Sequence, residues 1–93
     1  MGGAGVLVRY RRAAGVVWRQ AHGSVFVLPD SGREVVVLTG TGEQLWWLLA
    51  EPMTIDQAAH RFAEIYGVPD AAVSRDVAPV VADLAARGVL ERG

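Results

Sequence analysis

Glu34-Val35-Val36-Val37-Leu38-Thr39-Gly40-Thr41-Gly42-Glu43-Gln44-Leu45-Trp46-Trp47-Leu48-Leu49 is the stretch whose reading decides the fold. Its opening residues are β-branched or aliphatic with no helical period, which predicts a strand. The Thr-Gly-Thr-Gly segment then breaks it. Thr41 is placed to cap a helix over Gly42 to Ala50, Glu43 adds favourable charge to the first turn, and Pro52 stops the helix. A strand therefore runs directly into a tryptophan-bearing helix.

Working upstream, Ser24-Val25-Phe26-Val27-Leu28 reads as a strand closed by the turn Pro29-Asp30-Ser31-Gly32. Val16-Val17-Trp18-Arg19-Gln20 reads as another, with Ala21-His22-Gly23 as its turn. Arg33 to Leu38 is the third strand. Short connections predict an antiparallel meander whose first and third strands are edges. Met1 to Ala14 is Gly-rich and then basic at Arg9, Arg11 and Arg12, so residues 1–14 read as a flexible basic tail. Within it, Val6-Leu7-Val8 has the composition of a short strand. The domain proper spans 15–93.

Working downstream, Thr54 begins a second helix with Gln57 at capping-box spacing. Its apolar face is Ile55, Ala58, Ala59, Phe62, Ala63 and Tyr66, and Gly67 then Pro69 end it. A third helix is capped by Asp70, ends near Arg87, and has Gly88 as its closing glycine. Val73, Val77, Val80, Val81 and Leu84 form its apolar stripe, with a bend expected at Pro79. Val89-Leu90 returns to cover the core or pair with a strand. The expected fold is α+β, a three-stranded antiparallel sheet packed on a three-helix winged-helix unit.

Composition narrows the function. Ninety-three residues hold one core. With no cysteine, disulfides and thiolate metal sites are excluded. All nine basic residues are arginine, so a P-loop, a Schiff-base enzyme and a lysine base are excluded too. No apolar run reaches membrane-spanning length, and Met1 to Arg12 places apolar residues before basic ones, the reverse of a signal peptide. A cytoplasmic bacterial protein with no membrane partner is expected. A net charge of −1 gives no long-range attraction to nucleic acid.

Candidate chemistry is sparse. No serine lies in a glycine elbow. His60 and Glu64 at i,i+4 lack a third ligand of the usual spacing, and a surface pair accounts for them. Gly40-Thr41-Gly42 before a helix has the form of an anion cradle, yet a capping turn explains it. No catalytic residue, cofactor or metal is assigned. Attention falls instead on Val35-Val36-Val37-Leu38, a strand edge without lysine, proline or inward charge. Val36 and Leu38 should share one face, with Leu38 in the core, and Val35 and Val37 the other. Such an edge is either covered within the fold or kept for a partner strand.

Leu38, Leu45-Trp46 with Leu48-Leu49, Thr54, Tyr66-Gly67-Val68, Asp76-Val77 and Leu84 to Leu90 together resemble the PqqD-like family. Its members are the precursor-recognition elements of ribosomal peptide natural-product pathways. The resemblance covers about Gly15 to Glu91 and is greatest to free-standing lasso-peptide recognition proteins. It implies that a precursor leader peptide adds as a strand beside Arg33, Glu34, Val35, Val36, Val37 and Leu38. The groove wall it implies is Val73, Asp76, Val77, Val80, Val81 and Leu84. A leader peptidase and a macrocyclase are the implied enzyme partners. Arg33 and Arg75 are placed to meet acidic leader residues, and Asp76 a basic one. Trp46 is the family position. Trp47, about 100° round the helix, is a candidate contact for an enzyme partner, as is Arg75.

Two rival readings differ in class. A DNA-binding domain needs a basic or amide-bearing recognition helix. The helix from Asp70 carries three aspartates against Arg75 and Arg87. Self-association through the third strand would make the chain a homodimeric interaction domain. A recognition protein of this family serving another modified-peptide pathway, as a monomer or weak homodimer, is the nearer alternative.

Overall fold

Val25 and Val27 are both 0 % exposed, and their neighbours along the strand are not. That period of two turns one face of a sheet to the core. The computed structural model describes residues 8–30, 32 and 34–93. In chain order the elements are β1 (Arg9–Arg12), β2 (Val17–Ala21), β3 (Ser24–Leu28), β4 (Val36–Leu38), α1 (Gly40–Leu48), β5 (Met53–Thr54), α2 (Ile55–Tyr66), α3 (Asp70–Ala86) and β6 (Leu90–Arg92). They form two three-stranded antiparallel sheets, β2-β3-β4 and β5-β1-β6, with three helices. The α+β class and the meander are as expected.

The β2–β3 hairpin turns on His22 and Gly23, both at positive φ (53° and 76°), the geometry of a tight two-residue hairpin loop. In β4, Leu38 is 2 % exposed and Val36 packs on the core, whereas Val35 and Val37 are 53 % and 52 % exposed. The alternation therefore follows the expected register. The strand is shorter than Arg33–Leu38: its last pair is Val27 with Val36. Beyond Leu28 the partner continues as Pro29, which has no N–H to donate. Arg33 and Ser31 lie outside the described residues.

The basic segment is the main departure. Arg9–Arg12 is no tail but the central strand of the second sheet, between β5 and β6. Cross-strand pairing explains it: Arg11 sits opposite Glu91, and its guanidinium donates to Glu91 Oε2 at 2.7 Å. Glu91 Oε1 also accepts from the Ala14 backbone N–H. Met1–Leu7, including Val6 and Leu7 of the expected short strand, lie outside the described residues.

The helix ends are largely as read. Thr54 and Gln57 form the reciprocal capping box, at 3.0 and 2.9 Å. Gly67 closes α2 in the left-handed region. At the end of α3, Val89 N donates to Leu84 O and Gly88 N to Ala85 O, a Schellman closure that delivers Val89 and Leu90 to the core. Two caps differ. α1 begins at Gly40, whose φ of 55° turns the chain directly after the strand, so Thr39 rather than Thr41 precedes it. Pro69 rather than Asp70 precedes α3, and the Asp70 carboxylate is engaged by His60 Nδ1 at 2.8 Å instead. α3 runs unbroken through Pro79.

Candidate peptide-binding groove

β4 pairs with β3 on one side, and among the described residues nothing pairs with its other edge. Beyond that edge lies α3. Between them runs a groove of about 370 Å³. Its strand wall is Val36, Val37 and Leu38, its floor Thr39, Thr41 and Gly42, and its helix wall Val80, Asp83, Leu84 and Arg87. The rim is closed electrostatically upon itself, since Arg87 Nε lies 3.2 Å from Asp83 Oδ2 one turn back. The groove thus offers unpaired backbone on one wall and, on the other, the aliphatic Val80 and Leu84 bordered by an ion pair.

Thr41 also lines a second hollow of about 290 Å³ farther along α3, with Phe62, Tyr66 and Val68 from the end of α2 and Val73, Asp76 and Val77 from α3. Phe62 and Tyr66 stack with centroids 6.0 Å apart, making a flat aromatic wall. Tyr66 is 57 % and Val68 42 % exposed, so this hollow opens to solvent. Its aromatic residues were not among those assigned from sequence. The available signal was Tyr66-Gly67-Val68, two apolar residues straddling a helix-ending glycine with no buried strand to follow.

The structure sorts the expected site residues by depth. Val36, Val37, Leu38, Val80 and Leu84 come together in the first groove, and Val73, Asp76 and Val77 in the second hollow. Val81 lines neither hollow; at 1 % exposure it belongs to the core with Val25, Leu45 and Trp46. Val77 is also 1 % exposed, so it supports the hollow from beneath. The reason is the helical row: Val77, Val81 and Leu84 recur on the face of α3 buried in the core, Leu84 also reaching the groove, and Val73 and Val80 flank them at partial burial. Glu34, Val35 and Arg75 are exposed. Arg33 lies outside the described residues.

Trp47 faces away from the groove. It is half-buried, stands edge-on to Trp18 of β2 with centroids 5.6 Å apart, and donates from Nε1 to Glu43 at 3.3 Å. Trp46, the family position, is fully buried. A polar hollow of about 460 Å³ beside β5 and α2, lined by Glu51, Asp56, His60 and Arg61 among others, shares no residue with the groove. Among the described residues no three His, Asp or Glu side chains are grouped to hold a metal. No helix among them is long and apolar enough to cross a membrane.

Against known proteins, residues 24–90 match the family described as coenzyme PQQ synthesis protein D (PqqD). Among solved structures, the fold is shared with TbiB1, determined in complex with the TbiA(β) leader peptide. The TM-score is 0.76 at 23 % identity, covering 87 % of this chain and 94 % of that one. No curated protein matches the chain.

Proposed function

Because this chain belongs to the PqqD family, we propose that it binds the leader segment of a ribosomally made precursor peptide, added as a strand along β4 with side chains entering the groove against α3. The observation that carries this reading is the open β4 edge standing directly over an aliphatic helix wall. The leader-bound state of TbiB1, which shares the fold, supports it.

The physics suits a disordered ligand. Edge hydrogen bonds fix register without regard to side chain, and pockets at alternate positions supply selectivity. Ordering the leader opposes binding, so an apolar anchor must offset the lost entropy. Val80 and Leu84 offer that anchor one site, and the Phe62–Tyr66 wall offers another. Asp76, exposed at the rim, suits a basic leader residue. The chain itself performs no chemistry. It carries the tethered peptide to a leader peptidase and a macrocyclase of a lasso-type pathway in the cytoplasm.

Titration of a labelled leader peptide into the purified chain tests this. Binding at roughly micromolar or tighter, lost in Val80→Asp, is the expected result. Strand addition further requires that N-methylation of successive leader amides weaken binding with a period of two; a flat response would rule it out. The family's description as a coenzyme-synthesis protein favours one second reading, the same leader binding in a different modified-peptide pathway. Strand-to-strand self-association predicts instead a dimer that persists at saturating leader.

A further inference from the structure

We propose that the opposite edge of the same sheet, β2 with Arg12 held among Trp18, Trp46 and Trp47, is a second docking surface, for a protein partner presenting a carboxylate beside an apolar side chain. The inference rests on the leader-binding reading only in naming that partner as the processing enzyme.

Three observations converge there. First, β2 pairs only with β3 among the described residues, and four of its five positions are exposed. Arg19 and Gln20 guard one half of that edge. The other half is Val17 and Trp18, at 68 % and 40 % exposure; Val17, opposite Leu28, points to the outer face, and Trp18, opposite buried Val27, shares the inner face with Trp46. Second, the Arg12 guanidinium carbon lies 4.4 Å from the Trp46 ring centroid, 5.2 Å from Trp18 and 5.5 Å from Trp47. Its Nε donates to the Trp46 carbonyl at 2.8 Å, which fixes the plane of the fork. Third, the charge is uncompensated. Arg11 and Arg87 each meet a carboxylate, whereas Arg12, partly desolvated, meets none among the described residues.

A pre-oriented guanidinium has little side-chain entropy left to lose and two terminal nitrogens to offer a carboxylate bidentately. Tryptophan and arginine on a partly desolvated surface are also the composition of interface hot spots. The surrounding tryptophan faces favour an apolar neighbour to that carboxylate. Position completes the argument. β2 and β4 are the two edges of one three-stranded sheet, so a strand added at each would lie about 19 Å apart, four inter-strand spacings. Both can be filled at once, with the leader held next to the enzyme that cuts it.

The probe is the purified leader peptidase of the same pathway, its affinity for the chain measured at saturating leader. Gln20→Glu places a like charge on the face of β2 that Trp18 shares, before the incoming carboxylate, and its exposure makes it harmless to folding. Arg12→Lys keeps the charge but loses the fork. We expect each to weaken peptidase binding roughly tenfold or more and to leave leader affinity unchanged. Peptidase affinity within twofold of wild type in both variants overturns the proposal, as does failure of the wild-type chain to bind the peptidase. The leader titration reports separately on the β4 groove, and the peptidase measurement decides the β2 surface whichever way that titration falls.

Discussion

The two edges of the β2-β3-β4 sheet offer the same backbone and opposite surroundings. β4 is three residues long, alternates between core and solvent, and faces Val80 and Leu84 of α3 across a groove. β2 is five residues long, almost wholly exposed, and ends against a cation among indoles. An edge with an apolar wall beside it can hold a flexible chain, because burial of side chains offsets the entropy lost on ordering. An edge with no wall cannot, and suits a partner that arrives already folded. What distinguishes the edges is therefore not hydrogen-bonding capacity but the apolar area lying within one side chain's reach.

Substitutions can break that contrast at its strongest point. Val77→Asp buries an unpaired charge at a site 1 % exposed, which should destabilise the fold by about 4 kcal/mol. For a domain of this size that is much of the total stability, and thermal melting should show a collapsed or absent transition. Val80→Asp, one turn on and half-buried at the groove wall, should melt near wild type yet lose about 100-fold in leader affinity, the equivalent of one desolvated anchor. Equal melting of the two variants would remove the distinction between core and groove faces of α3. Arg12→Met tests the other edge: losing the cation–π and carbonyl contacts should lower stability by roughly 1–2 kcal/mol with leader affinity unchanged. A change in leader affinity there would mean the edges are not independent.

Much of the β4 edge was legible in the sequence, because its determinants are local. The alternation of Val36 and Leu38 against Val35 and Val37, the Thr54–Gln57 box and the closing glycines Gly67 and Gly88 each lie within a few residues of what they control. β2 was legible as an edge strand too, but the setting of Arg12 beside it was not. Arg9-Tyr10-Arg11-Arg12 has the composition of a solvated tail, and its partners in the sheet, Met53–Thr54 and Leu90–Arg92, lie some forty and eighty positions on. Arg12 then acquires its setting from Trp18 and Trp46, on two other elements. The depth of the α3 valines was half legible: the stripe was visible, but which of its residues face the core and which the groove depends on how the helix docks.

The smallest expected effects concern two exposed ion pairs, each bracing a different edge. His60 contacts both Asp70, at the start of α3, and Glu64, and its pKa is raised chiefly by the Asp70 hydrogen bond. That contribution is fully present below the ordinary value of 6.5 and fades as pH rises through the raised one. Glu91 is lowered, first by the Ala14 N–H and then by Arg11, so its contribution is present above 4.5 and fades as pH falls through the lowered value. Both supports operate together between those limits, and melting temperature should be highest there. His60→Gln should flatten only the alkaline shoulder, and Glu91→Gln only the acid one. Because His60 ties α2 to the helix that walls the groove, its shoulder should reappear in the pH dependence of leader affinity. The Glu91 shoulder, belonging to the sheet that carries Arg12, should not.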